Sequence, residues 1–297
     1  MKGKILLSNS GRFDVCDTDT GTVYPGCIAR GSFRRDTGKL LAGDNVSFEE
    51  SGDSYVITET MPRKNSLIRP PLANLDILFI VVAAAAPDPF PFYTDKLTVI
   101  AEHHHIRPVV IITKSELAPE MAMQLSRAYK QCGYDAFALS VHTNTGTEAL
   151  RTFLETEARG QTAAFCGASG VGKSSLLNFL YPDLHCETGS LSARIERGKN
   201  TTRLTRLYPL SENTYLADTP GFSMLEIDRF GDFDEKTLPE LFPEFRPHIG
   251  ACRYTKCTHT KEEGCAILGA VKAGEIPSGR HDSYLELYSL LKNKKKY

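Results

Sequence analysis

The chain has 297 residues and a formal net charge of −1, with 41% hydrophobic and 24% charged residues. This balance excludes a disordered chain, and the longest apolar run, "ILFIVVAAAA", is too short for a bilayer-spanning helix. The near-neutral total gives no support of its own for a nucleic-acid partner, and "MKGKILLSNSGRFDV" has no signal-peptide core, so a cytoplasmic protein without membrane contact is expected.

In residues 1–66, "KILLS", "RFDVCD", "TVYPGCIAR", "DNVSFEE" and "SYVITET" are strand-like runs separated by turns. Short strands at this density predict a small antiparallel β-barrel, either oligonucleotide-binding (OB)-like or SH3-like. "MPRKNSLIRPP" (61–71) reads as a basic, proline-rich linker. The pattern then changes. "LFIVVAA", "PVVIIT", "DAFALSV" and "TAAFCG" are apolar strands. They alternate with the helical stretches "TDKLTVIAEHHH", "PEMAMQLSRAYKQCG" and "TEALRTFLETE". This alternation predicts a parallel α/β sheet covered on both faces.

The last of these strands feeds "GASGVGKSS". Gly167, Gly172, Lys173 and Ser174 have the spacing of a phosphate-binding loop, and "SSLLNFL" continues as a helix. Gly167, Ala168, Ser169, Gly170, Val171, Gly172, Lys173, Ser174 and Ser175 are therefore candidate nucleotide-binding residues. The backbone N–H groups face the phosphates, Lys173 reaches the β- and γ-phosphates, and Ser174 gives a hydroxyl oxygen to magnesium. Downstream, "TYLADTPGFS" places Asp218 at a strand end, suited to hold magnesium through water, with the Gly221 N–H toward the γ-phosphate. Between the two lies "RGKNTTRLTRL", where either Thr201 or Thr202 can give magnesium a second hydroxyl. Upstream, "VVIITKSELA" ends a strand on Thr113, Lys114, Ser115 and Glu116, and "ALSVHTNTG" ends the next on Ser140 and Val141. These occupy the places of the base-reading (N-K-x-D) and base-backing motifs of a GTPase, yet both precede the phosphate loop.

Toward the C-terminus, "DEKTLPELF" and "EGCAILGAVKAGE" have helical character. "SGRHDSYLELYSLLKNKKK" reads as an amphipathic helix capped by Ser278, with Tyr284, Leu287, Tyr288 and Leu291 on its apolar face. Cys252, Cys257, His259 and Cys265 fall within fourteen residues. Three thiolates and an imidazole suit a closed, tetrahedral, structural zinc site. Cys16, Cys27, Cys132, Cys166 and Cys186 stand singly and read as reduced thiols.

The order base reader, base backing, phosphate loop, threonine switch and "DTPG" is a circular permutation of the usual GTPase order. Together with the N-terminal barrel, the Cys/His cluster and the stretches "LAGDNV", "RPPLANLD" and "CRYTKCTHTKEEGCAI", it resembles the small ribosomal subunit biogenesis GTPase family (RsgA/YjeQ). The resemblance covers essentially the whole chain. It implies a multidomain protein: an OB-like barrel at 1–66, a permuted P-loop GTPase domain at 67–229 and a mainly helical zinc domain at 230–297. It further implies magnesium-dependent hydrolysis of GTP to GDP, one structural zinc, and binding to the maturing small ribosomal subunit and its rRNA. A monomer is expected. Arg30, Arg34, Arg35 and Lys39 in the barrel and Arg63, Lys64 and Arg69 after it are candidate RNA contacts.

Lys173, Asp218, Gly221 and Asn200 form the expected catalytic set. The chain departs from the family pattern at three places. Thr113 supplies no amide, although the Glu116 carboxylate can still accept the guanine N–H groups. Asn200 stands where the family switch commonly has a histidine proposed to act in hydrolysis. Val141 replaces a small residue after Ser140. Asn200 and Phe222 motivate an alternative, a nucleotide-gated RNA-binding scaffold with little intrinsic hydrolysis.

Overall fold

Alternating apolar and polar residues over the first part of the chain build five strands: β1 (Lys2–Asn9), β2 (Arg12–Asp17), β3 (Val23–Ala29), β4 (Asn45–Ser51) and β5 (Ser54–Thr60). The structure, a computed structural model, describes residues 1–30, 39–68, 70–182, 205–211, 213–218 and 233–293. Asn200, Thr201, Thr202, Gly221, Phe222, Cys186, Arg34, Arg35 and Arg69 lie outside the described residues. After the barrel come β6 (Ser66–Leu67), β7 (Leu72–Ala73), β8 (Ile77–Ala83), α1 (Pro91–His103), β9 (Arg107–Thr113), α2 (Pro119–Gln131), β10 (Asp135–Ala138) and α3 (Thr147–Thr156). They are followed by β11 (Thr162–Cys166), α4 (Lys173–Leu180), β12 (Arg206–Ser211), β13 (Thr214–Asp218), two short 3-10 helices, α5 (Ala266–Ala273) and α6 (Ser278–Asn293). Among the described residues no helix is long and apolar enough to cross a membrane.

The chain forms two compact units. The first comprises Met1–Phe79, Ala149–Cys166 and Leu177–Met224. Its barrel runs β1-β2-β3-β5-β4, and β4 pairs back onto β1. Closure in this order makes β3 and β5 parallel, the one departure from an all-antiparallel barrel. The topology is OB-like, so the SH3-like reading falls away. Ile5, Val15, Phe48 and Ile57 fill the centre, and Tyr24 packs against Phe48 and Tyr55 with ring centroids 5.2 and 4.4 Å away. Gly3 permits this closeness, since a Cβ there would stand 2.5 Å from Val15 Cγ1.

The stretch expected to be a linker is ordered instead. β6 and β7 form a hairpin, Asn65 donates to the Leu75 carbonyl, and Asn74 accepts from the Lys64 N–H while donating to the Gly43 carbonyl. The asparagines of "RKNSL" and "PLANL" thus satisfy the backbone of a segment whose prolines limit regular pairing. In the same unit β11 runs parallel to β13, β13 pairs antiparallel with β12, and Arg206 of β12 faces Leu7 of β1. Phe79 of β8 stacks on Phe165 of β11 at 4.7 Å.

The second unit comprises Ile80–Glu148, Gly167–Leu176 and Leu225–Tyr297. β9 and β10 are parallel. Val82, Val110 and Ile112 pack under Ala122, Leu125 and Tyr129 of α2, as expected when continuous apolar strands are covered by an amphipathic helix. "DEKTLPELF" forms a 3-10 helix (Leu238–Leu241), followed by a second at Pro243–His248. Prolines 239, 243 and 247 recur every fourth residue and remove the N–H groups that an α-helix needs. Ser278 is the first residue of α6 rather than its cap. The expected apolar face is present: Tyr284, Leu287 and Leu291 are buried, and Tyr284 meets Phe245 at 5.1 Å.

α6 also brings a charge into this core. Arg280 is 3% exposed. Its guanidinium donates to Asp95 Oδ1 of α1 at 2.8 Å, to Glu244 Oε1 at 2.7 Å and to Thr98 Oγ1 at 3.1 Å. Asp95 is completed by the Tyr129 hydroxyl at 3.0 Å and the Ser283 hydroxyl at 2.5 Å. Burial opposes the charge on Arg280, but the two carboxylates outweigh it and hold the guanidinium protonated.

Candidate nucleotide site and metal centre

β11 is buried along its whole length and ends where the phosphate loop begins. The loop glycines adopt positive φ: +141° at Gly167, +78° at Gly170 and +92° at Gly172. At Gly167 a Cβ would stand 2.2 Å from the Val81 carbonyl oxygen, so only glycine fits there. α4 starts at Lys173, which places Ser174 and Ser175 in its first turn and turns its free N–H groups toward the loop. The Lys173 ammonium donates to the carbonyls of Gly167 and Ala168 at 2.8 and 2.6 Å. It thus stands inside the concavity formed by the loop backbone, where a phosphate oxygen can take over those contacts. Replacing it tests this directly. Lys173→Ala is expected to weaken triphosphate binding by ~1.5–3 kcal/mol, the scale of a charge-assisted contact. Isothermal calorimetry is the check, and unchanged affinity would reduce "GASGVGKSS" to a turn.

The base-reader residues meet this loop within the same unit. Thr113, only 3% exposed, directs its hydroxyl at the Val171 carbonyl, 2.6 Å away. Lys114 holds φ +56° and donates to the carbonyls of Gly170, at 2.8 Å, and of Ala86. The Ser115 N–H donates to the Leu139 carbonyl at 3.2 Å, which ties the end of β9 to the segment after β10. Ser140 is fully buried and exchanges both backbone hydrogen bonds with Thr145. Its hydroxyl donates to Glu116 and holds that carboxyl below the usual glutamate range; the charges of His142 and Lys114 act in the same direction. Glu116 is therefore an ionised acceptor at neutral pH, on the exposed side of the loop. Val141 follows Ser140 in the turn. Segments far apart in sequence are thus assembled around one loop. Asp218 ends β13 in the other unit, where its backbone pairs with Arg206.

The cysteine cluster is likewise assembled. The donor atoms of Cys252, Cys257, His259 and Cys265 all lie within 4.8 Å of one another. Cys252 Sγ stands 3.6 Å from His259 Nδ1 and 3.9 Å from Cys265 Sγ, and Cys265 Sγ stands 3.5 Å from the same Nδ1. Ligands at ~2.0–2.3 Å around a tetrahedral ion are about 3.5–3.8 Å apart, so the set fits a closed metal site. Burial pushes the Cys257 thiol up to about 12 and lowers the basicity of His259, which favours the neutral, ligating imidazole. The N–H groups of Ala266 and Leu268, opening α5, point at Cys252 Sγ and Cys265 Sγ at 3.3 and 3.5 Å. They support negative charge on the sulfurs.

Sequence reasoning missed what positions these ligands. His259 has φ +58°. Its carbonyl is 2.8 Å from His281 Nε2, and the neighbouring Thr258 carbonyl accepts from the Tyr284 hydroxyl at 2.7 Å. Glu262 accepts the N–H groups of Thr258 and Thr260 at 2.7 and 2.9 Å. Burial resists its ionisation, but these bonds dominate and hold its carboxyl at about 2. In the sequence, the signal for this support was a Glu three residues after His259.

The RsgA GTPase family model matches residues 60–228. The chain belongs to the RsgA GTPase family. It is 39% identical to the small ribosomal subunit biogenesis GTPase RsgA of Ruminiclostridium cellulolyticum, over 99% of this chain and 95% of that one. The corresponding Geobacillus protein is 38% identical over 99% of this chain and 98% of its own. Two solved structures are similar throughout. YloQ, described as a circularly permuted GTPase, superposes with a TM-score of 0.80 at 32% identity, over 100% of this chain and 96% of that one. YjeQ from Thermotoga maritima gives a TM-score of 0.83 at 30% identity, covering 99% of each. As a family member the chain is a GTP hydrolase with a circularly permuted GTPase domain, a reaction that uses magnesium with GTP.

Proposed function

We propose that this protein is a small-subunit assembly GTPase: it binds the maturing small ribosomal subunit through rRNA and hydrolyses GTP there as a release switch. The observation that carries the reading is the junction of Thr113 and Lys114 with Val171 and Gly170, which joins a base reader to a phosphate loop lying later in the chain. The relatives' names place such GTPases in small-subunit biogenesis. The barrel (1–66), permuted GTPase domain (67–229) and zinc domain (230–297) are the working divisions. Residues 167–175 hold the phosphates, Glu116 accepts the guanine N–H groups and Ser140 backs the base. Ser174, Asp218 and one of Thr201 and Thr202 serve magnesium, and Gly221 senses the γ-phosphate. Zinc held by Cys252, Cys257, His259 and Cys265 fixes the C-terminal fold. Closed coordination leaves no place for a reacting water. The protein works as a cytoplasmic monomer.

Asn200 sets the expected rate. An asparagine amide orients water but does not accept its proton, so intrinsic hydrolysis is slow and the subunit accelerates it. Single-turnover hydrolysis with and without small subunits is the test. Asn200→His is expected to speed the free protein by ~10²-fold, the lower part of the range for general-base help, because phosphoryl transfer depends mainly on positioning. Fast hydrolysis by free wild type, or indifference of both proteins to subunits, would overturn the reading. The scaffold alternative is not favoured, since the relatives are named as GTPases.

A further inference from the structure

His259 carries its ligating ring on a backbone with φ +58°. Residues with a side chain take up this conformation rarely and keep it only where their surroundings impose it. Here the imposing groups can be named. On the carbonyl side, α6 supplies two donors from one face: His281 Nε2 lies 2.8 Å from His259 O, and the Tyr284 hydroxyl donates to Thr258 O at 2.7 Å. A carbonyl only accepts, so His281 carries its proton on Nε2. On the amide side, Glu262 accepts the N–H groups of Thr258, Thr260 and Lys261 at 2.7, 2.9 and 3.1 Å. The His259 N–H is itself bonded to the Cys257 sulfur. The two α6 donors are buried and stack on each other with ring centroids 6.0 Å apart. His281 is thus no fifth ligand: the donor set of four is complete without it.

The His259 ring is buried as well, so it has no free path out of the cluster by side-chain rotation alone. For a bound ion to leave, the turn that presents Nδ1 to the sulfurs must relax, and its two carbonyls must let go of α6. We infer that His281 and Tyr284 are positioning residues of the metal centre: α6 locks the His259 turn, and zinc leaves only after these two hydrogen bonds open. The inference rests on the zinc reading above. Removing either donor therefore destabilises the loaded state but not the opened one, and release accelerates by the worth of the lost bond.

The test follows zinc release from the full-length, zinc-loaded protein into excess chromophoric chelator. Tyr284→Phe removes one oxygen and keeps the packed ring. It is expected to release zinc ~3- to 10-fold faster, the scale of one hydrogen bond. His281→Phe keeps a ring, loses the donor and is expected to fall in the same range. His281→Gln restores an amide donor where Nε2 stood, and should return the rate to within about twofold of wild type. Ser283→Ala is the control, since it removes a bond from the same helix to Asp95 rather than to the ligand turn. It should leave the rate within about twofold of wild type, because Arg280 still holds Asp95. A rate unchanged by Tyr284→Phe or by His281→Phe would overturn that residue's part in the lock. Equal acceleration by Ser283→Ala would overturn the lock as a whole, by showing that any weakening of α6 sets the rate. If His281→Gln is as fast as His281→Phe, ring packing and not the Nε2 donor is responsible, and the role of His281 falls. Native mass spectrometry separates the two levels of failure. Wild type without zinc overturns the metal reading itself, whereas one zinc with rates indifferent to all four variants overturns only the lock.

Discussion

Arg280→Ala is expected to destabilise the protein by about 3–5 kcal/mol, because it leaves buried carboxylates without their counter-charge. Asp95 is 1% exposed and Glu244 8%. Both face the guanidinium at hydrogen-bond distance, and the rings of Phe242 and Tyr134 lie 4.7 and 5.5 Å from its Cζ. Water therefore has little room to replace the lost donors, and the carboxylates must protonate or the packing of α6 must open. Urea denaturation should show a lower midpoint, with the change concentrated in the region that includes α1 and α6. A triple variant, Asp95→Asn with Glu244→Gln and Arg280→Met, removes the charges together and should be less destabilised than Arg280→Ala alone, since the cost lies in the orphaned charge rather than in the lost pair. A single-variant effect below about 1 kcal/mol would mean that the site relaxes to admit water. α1 and α6 lie in the same compact unit, and this network ties them together although they are far apart in sequence.

Removal of the metal is the second large effect. Native mass spectrometry of metal-replete protein should show one zinc, and Cys257→Ala combined with Cys265→Ala should abolish it. Structural zinc sites bind with apparent free energies of about 10–16 kcal/mol, and that energy is coupled to local folding. Without zinc, one buried and two half-buried thiols and an imidazole remain clustered, and the burial that raises Cys257 and Cys265 favours their protonated forms. Hydrogen exchange should therefore rise across Cys252–Cys265 and in α5, whose first turn is anchored by N–H bonds to two of these sulfurs. α6 should stay protected longer, because Arg280 is anchored on Asp95 and Glu244, away from the metal-site residues. Triphosphate affinity at Lys173 should change little. Zinc retained by the double variant, or no change in exchange after chelation, would overturn the assignment.

Local chemistry was enough for much of this. The phosphate loop was legible because its glycines are required by backbone geometry, which positive φ at Gly167, Gly170 and Gly172 bears out. The five barrel strands were legible from alternation, and the parallel core from runs such as "LFIVVAA", since burial on one face or on two leaves different patterns. The four metal-site donors were legible because ligand type and spacing are local. The permuted motif order was legible because each motif has its own signature whatever its place in the chain.

Other features depend on which residues meet across the fold. The choice between OB-like and SH3-like barrels needed the parallel β3–β5 pairing, and strand patterns do not encode pairing order. Around the stretch expected to be a linker, β6 pairs with β7 because Asn65 and Asn74 find backbone partners there. Arg280 looked like one more polar residue of a terminal helix. Its role arises only when Asp95, from a distant helix, and Glu244, from a 3-10 segment, arrive beside it, since a buried charge is tolerable only with its partners in place. Thr113 is the same case at the site. Its sequence position marks it as a base reader lacking an amide, and only the 2.6 Å contact with Val171 reveals that its one proton is already committed. The sequence by itself thus determined the fold class, the family and the ligand-bearing motifs, because these rest on local backbone and side-chain chemistry. The tertiary structure alone decided barrel topology, the buried ion network and the hydrogen-bond commitments of the site, because each is a pairing between groups far apart along the chain.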